Sequence, residues 1–235
     1  MRFFGHFASG KPTAIGDWLT RKTIEQQFRF VRANMPSERE IDILEIGPGR
    51  GEFAAKFVES GYRNYDILEP DETLRQFCHR LPLRRVFTEI IPPLPGASCS
   101  YDLIIMCDVF EHMNDTAMAL AVLKEIHRVL RPGGRFFVLC PDYNHWKADF
   151  FNCDFSHSNP TTVRRMNQLL FNLDFTPQAT IYHYNFLTGF SGWIIGNLMK
   201  ILTTPFSGSS MGSRFYSLRL CFLRRFLIIA QKNRQ

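Results

Sequence analysis

Leu44-Glu45-Ile46-Gly47-Pro48-Gly49-Arg50-Gly51-Glu52-Phe53 leads a short apolar run into three alternating glycines and then into a helix-forming stretch. Glycine lets the backbone turn sharply and lets a ligand approach it closely. A strand, a glycine turn and a helix in that order are the opening unit of a parallel α/β sheet. In such sheets, ligands bind beyond the carboxyl ends of the strands. This one segment therefore constrains both the fold and the position of a site.

The rest of the chain repeats the alternation. Strands are expected at Ile41–Ile46, Tyr65–Leu68, Arg84–Thr88, Tyr101–Cys107 and Arg135–Cys140, with helices at Glu52–Glu59, Glu72–Cys78 and Asp115–Leu130 between them. Pro132-Gly133-Gly134 reads as a turn. Strands alternating with helices predict a doubly wound sheet covered on both faces. Beyond it, Pro160–Leu170 reads as a helix, Phe175–Tyr184 as a strand and Phe226–Ala230 as a closing strand. At the front, residues 1–16 read as an irregular arm, and Asp17 is a candidate cap for a helix over Trp18–Ala33. The 235 residues suit one large domain. The expected division is an arm and helix over 1–36 and a domain over 37–235, with an apolar and basic insert at about 185–225.

The glycine turn alone fits several nucleotide ligands, and its flanks choose among them. Glu52 stands where a dinucleotide fold wants its last glycine, and no Gly-Lys-Ser/Thr follows for a phosphate loop. Glu45 precedes the turn, where a carboxylate suits an ammonium group better than a pyrophosphate. Glu69, about 20 residues beyond the glycines, stands where an acid can accept both ribose hydroxyls.

These residues resemble motifs of the class I S-adenosylmethionine-dependent methyltransferases. Glu45–Gly51 looks like the family's glycine motif and Glu69 like its ribose-binding acid. Tyr101–His112 and Leu130–Cys140 look like its fourth- and fifth-strand motifs, in the family's order over residues 40–140. The resemblance implies a Rossmann-like seven-stranded sheet with an antiparallel last strand, and S-adenosyl-L-methionine as cofactor. It implies cofactor contacts from Gly47, Gly49, Glu69 and Cys107-Asp108-Val109, with Glu45, Pro48, Gly51, Pro70 and His112 in the same cradle. Thr88–Pro95 departs from the family's third-strand pattern, so no adenine contact is assigned there.

Methyl transfer to a hydroxyl needs a base, and histidine suits that role near neutral pH. Candidates follow the fifth strand: His145, then Asp154 and His157. A related group of methyltransferases, many of them in glycan and lipid pathways, carries a D-x-x-H segment here, and the resemblance favours Asp154 with His157. The other reading of His157 is a cap for the helix that follows. His145 reads as an exposed loop residue. His112 is expected to pack or to orient the cofactor loop. No metal is expected, because Glu111-His112 is not followed by another histidine at helical distance.

Charge separates the tail from the body. After Asp174 the chain has no acid, while Lys200, Arg214, Arg219, Arg224, Arg225, Lys232 and Arg234 give that tail +7 of the net +6, leaving the body at −1. Such a tail suits an anionic partner, and an anionic membrane surface is the expected one. Trp193–Thr203 can be drawn as a helix with a broad apolar face, suited either to a bilayer interface or to the core. No stretch is long and apolar enough to span a membrane. The six cysteines include no C-x-x-C pair and read as free thiols of a reducing compartment. With no secretory signal at Met1–His6, a cytoplasmic location, peripheral to the membrane, is expected. The leading expectation is O-methylation of a small-molecule or lipid-linked acceptor, as in polysaccharide biosynthesis. An RNA methyltransferase and a non-catalytic partner subunit are the alternatives; nucleic acid is the weaker partner because no RNA-binding module is recognisable.

Overall fold

The computed structural model describes residues 13–208 and 213–234. Residues 1–12 of the expected arm lie outside them. Strands β1 (Ile43–Ile46), β2 (Tyr65–Leu68), β3 (Arg85–Phe87), β4 (Tyr101–Cys107), β5 (Leu130–Pro141), β6 (Phe175–Tyr184), β7 (Leu187–Thr188) and β8 (Arg225–Lys232) form one sheet in the order β3-β2-β1-β4-β5-β8-β6-β7. The first five are parallel, and β8 runs antiparallel between β5 and β6. The expected seven strands and antiparallel closing strand are present. The eighth, β7, is a two-residue return on the end of β6.

Helices are α1 (Ala14–Ala33), α2 (Glu52–Glu59), α3 (Glu72–Cys78), α4 (Thr116–Val129), α5 (Tyr143–Trp146), α6 (Asp149–Asn152), α7 (Val163–Phe171), α8 (Gly189–Leu202) and α9 (Arg214–Cys221). Helix α1 begins earlier than expected. Thr13, not Asp17, caps it, accepting from the Gly16 N–H, and Asp17 lies within the first turn. The Pro132-Gly133-Gly134 turn survives as a bulge: Tyr101 pairs with Leu130 but Leu103 pairs with Arg135.

Side chains alternate across the sheet as the strand period requires. Ile104 and Met106 point to one face, with Val122, Leu123 and Ile126 of α4 and Met166 and Leu170 of α7. Leu103 and Ile105 point to the other, with Phe28 and Val31 of α1 and Phe53 and Phe57 of α2. The strand order reverses between β1 and β4, which opens the crevice where α/β sheets bind ligands.

The basic tail is largely spent inside the molecule. Arg219 of α9 grips Asp149 through Nε and Nη2 at 2.9 and 2.7 Å, both side chains being buried. Arg224 pairs with Asp142 at 2.6 Å, and Arg225 stands 3.5 Å from Asp108. Lys232 donates to the His127 and Leu130 carbonyls. The acid-free tail is basic because the acids it neutralises lie in the body.

Candidate active site

A cavity of about 1220 Å³ fills the crevice. Its floor is the glycine turn. Gly47 has φ +68°, and a Cβ there would meet Val109 Cγ2 at 2.4 Å, so the turn presses directly on the loop after β4. Gly49 has φ +56° and nothing within 4 Å of where its Cβ would stand. Its backbone faces open cavity, a cradle that any larger residue would fill.

Glu45 and Glu69, at the ends of the adjacent strands β1 and β2, both reach this space. Glu45 is buried and accepts a hydrogen bond from Tyr65 Oη at 2.9 Å. Burial pushes its carboxyl up to about 7, against the opposing pull of that bond. Glu69 accepts from the Asp71 N–H at 3.0 Å, and burial raises its carboxyl too. Pro48, Pro70, Cys107, Asp108, Val109 and His112 complete this end. Gly51 stands one step back, at φ +73°, where it caps α2. Every expected cofactor residue except Gly51 thus lines this one cavity.

The far wall was not foreseen. Leu19, Thr20 and Thr23 of α1 line it together with Asn185, Leu220, Cys221 and Arg225. Thr23 Oγ1 lies 2.9 Å from Asn185 Oδ1, and Trp18 meets Phe186 edge-on at 5.4 Å. These contacts tie α1 to the turn between β6 and β7. No local pattern links residues so far apart in the chain.

The expected catalytic residues fare differently. His145 is buried, not exposed on a loop. It accepts from the Arg224 N–H at 3.2 Å, and burial with nearby Lys200 and Arg224 takes its pKa down to about 4. It braces β8 and does not line the cavity. His157 caps no helix, since Thr162 caps α7. It is buried behind the cavity wall, with Nδ1 2.6 Å from the Phe150 carbonyl oxygen. Asp154 does not bond the His157 side chain. Its Oδ1 accepts from Ser156 Oγ at 2.6 Å, and Ser156 Oγ in turn lies 2.9 Å from His112 Nδ1. The histidine that lines the cavity is His112, and its ring packs against that of His157 at 4.8 Å between centroids.

Glu111 joins this group. It is buried, Oε2 has no hydrogen-bond partner, and burial together with Asp108 pushes its carboxyl well above the usual range. Ligand-type atoms of Glu111, His112 and His157 all lie within 4.8 Å of one another. Spacing missed this trio because His157 arrives from a separate loop. That loop is held by the Ser158 and Asn159 N–H groups donating to the Glu111 carbonyl.

A methyltransferase-domain family model matches residues 19–180, more than half of the chain. The chain belongs to the class I S-adenosylmethionine-dependent methyltransferase family. Among relatives of this methyltransferase, a Mycolicibacterium smegmatis protein named as an S-adenosylmethionine-dependent methyltransferase is 33% identical over 102 residues, 43% of this chain and 38% of that one. The ubiquinone/menaquinone biosynthesis C-methyltransferase UbiE of Rubrivivax gelatinosus is 30% identical over 159 residues, 66% of this chain and 58% of that protein. The methyltransferase thus spans less than two thirds of either relative. A Haloferax volcanii methyltransferase, solved in complex with the Trm112 activator, shares the fold at a TM-score of 0.68 and 13% identity, over 98% of this chain and 97% of that one. The cofactor of the methyltransferase is S-adenosylmethionine.

Proposed function

We propose that this chain transfers the methyl group of S-adenosylmethionine to an oxygen of an acceptor with a large apolar portion, such as a lipid-linked sugar. The observation that carries the reading is the run of the cavity from the glycine cradle to an apolar rim. The helices that line its far wall, α1 and α9, also expose Ile15, Trp18, Phe215 and Leu218. Helix α8, fastened to α9 by Arg219 donating to the Lys200 carbonyl, exposes Phe190, Trp193, Leu198 and Ile201. Large apolar side chains exposed on the helices that line a cavity suit an amphipathic ligand or the surface that delivers it. No helix among the described residues is long and apolar enough to cross a membrane.

The cradle fits the cofactor. Gly47 and Gly49 let its backbone approach, Glu69 is placed for the ribose hydroxyls, and Glu45 for the ammonium. When bound, the cofactor supplies an electrophilic methyl on sulfur, so the protein's task is to align the acceptor. Such alignment is worth roughly 7–11 kcal/mol of barrier. His112 is the side chain from the histidine cluster that the acceptor oxygen meets.

Glu45 gives a test that needs no acceptor. Its pKa near 7 lies above the ordinary 4.5, so deprotonation destabilises the empty protein as pH rises from about 4.5 to 7. A bound ammonium reverses that preference. Calorimetry should therefore show proton release on cofactor binding between pH 6 and 7, fading towards pH 9. Glu45→Gln should remove that proton, and an unchanged release refutes the placement.

For the acceptor, a labelled methyl donor is incubated with whole-cell extract. Label in the lipid-extractable fraction is expected. Label confined to RNA or to water-soluble sugars overturns the apolar acceptor, and cofactor binding with no label anywhere favours a non-catalytic subunit.

A further inference from the structure

The Glu111, His112 and His157 cluster has features that methyl transfer does not require. Two imidazoles and one carboxylate, drawn from two separate loops, converge behind the cavity wall with ligand-type atoms within 4.8 Å of one another. Each imidazole is oriented through Nδ1. In His157 that nitrogen meets the Phe150 carbonyl oxygen at 2.6 Å. In His112 it meets Ser156 Oγ at 2.9 Å, and Ser156 is held by Asp154 at 2.6 Å. An Nδ1–H donated to a carbonyl or to a carboxylate-backed group fixes the tautomer and leaves the lone pair on Nε2. Metal-binding histidines are held in this way.

The third member supplies the independent observation. Glu111 is 2% exposed, and its Oε2 has no partner. A buried carboxylate oxygen without a donor costs free energy unless a proton or a cation meets it. The nearby cation, Arg225, does not bond that oxygen. Asp108 and Asp154 both add negative potential at Glu111, and Arg225 is the opposing charge, shared with Asp108 at 3.5 Å.

We propose that Glu111, His112 and His157 bind one divalent transition-metal ion of the zinc or manganese class. Two nitrogens and one carboxylate oxygen suit such ions, whereas calcium and magnesium prefer oxygen ligands throughout. Bonds of about 2.0–2.2 Å bring tetrahedral ligands to roughly 3.4 Å from one another. The cluster must therefore contract by up to about 1.4 Å to take the ion. His112 lines the cavity, so an ion held there would have an open coordination position within reach of it. An acceptor hydroxyl bound there would lose its proton more readily, as water does on zinc. That role, unlike the binding itself, rests on the methyl-transfer reading above.

Metal binding is measured without acceptor, so its failure is separate from a failure of the function. The full chain is stripped with chelator and titrated with Co2+ alone, followed by its visible spectrum and by calorimetry. One ion per chain, with low-symmetry visible bands, is expected. Glu111→Gln and His157→Gln should each weaken it by more than about 100-fold, and Ser156→Ala, which keeps all three ligands, by roughly 10–100-fold. His145→Gln, at a buried histidine outside the cluster, should leave it unchanged. Binding of the demethylated cofactor confirms that each variant is folded. If a ligand variant fails to fold, Ser156→Ala alone decides. Wild-type binding weaker than about 0.1 mM, or equal binding by wild type and the Ser156 variant, overturns the site. A stripped enzyme that turns over at the metal-loaded rate overturns the role and points instead to a proton relay from His112 through Ser156 to Asp154.

Discussion

Helices α4 and α8 are of equal length and both rich in apolar residues, yet they are mounted in opposite senses. Helix α4 is capped by Asp115, which accepts from the Met118 N–H at 2.7 Å, and it buries Ala119, Val122, Leu123, Ile126 and Val129. Helix α8 turns its smallest residues inward. Gly192 and Gly196, one turn apart, are its buried positions, and the Tyr184 ring of β6 crosses them. That close approach leaves its large side chains outside, with Phe190 75%, Ile201 69% and Trp193 52% exposed. The narrow polar side of the helix, Gly196, Asn197, Lys200 and Thr203, is thus largely the docking face. The helix is attached to the protein by its narrow side, and its broad side is available to something else. Apolar periodicity says that a helix has a greasy face; it does not say which way the face looks.

The sharpest way to break this contrast is to truncate both faces. Leu123→Ala in α4 should cost about 2–5 kcal/mol in chemical denaturation, the usual range for a buried leucine. The inner face of α8 comes next. Glycine to alanine ordinarily favours a helix by about 1 kcal/mol. At Gly196, however, the new Cβ would lie 2.0 Å from Cδ1 of the buried Tyr184. Gly196→Ala should therefore reverse sign and destabilise by about 1–3 kcal/mol, the common cost of overpacking. The smallest effect belongs to the outer face: Leu198→Ser with Ile194→Ser should stay within about 0.5 kcal/mol of wild type. The same double variant should lose partition onto phospholipid vesicles. If it costs as much as Leu123→Ala, the outer face of α8 is covered in the native protein and the contrast fails.

The same division explains what could be read from the residues alone. The cofactor end was legible because one contiguous segment builds it: Ile46, the glycines and α2 follow without interruption, and Glu69 ends the next strand. Strand β6 was legible to its bounds. Helices α5, α6 and α9 were not. The first two are single turns held by distant partners, Trp146 Nε1 donating to the Arg224 carbonyl and Asp149 gripped by Arg219. Helix α9 shows little segregation of apolar from polar residues. The D-x-x-H segment does lie against His112, which lines the cavity, but Asp154 and His157 are not paired through their side chains. Asp154 reaches a histidine only through Ser156, and that histidine is His112, which only tertiary folding brings near. The partners of the basic tail were equally out of reach of the residues alone, because Asp108, Asp142 and Asp149 lie far from it in the chain.

The order of strands in the sheet also sets a timetable. Strand β8 follows β6 in the chain but stands between β6 and β5 in space. While the chain is being synthesised, β6 has no neighbour in the parallel half of the sheet until β8 emerges. Roughly 40 residues separate the two, or about 2–8 seconds of elongation at typical rates. Throughout that interval α8 exists without its final mooring on α9. A nascent chain thus presents its most apolar helix to the cell before it has the means to hold it in place. The half that carries the glycine cradle can be complete on the ribosome well before the half that carries α8 and α9.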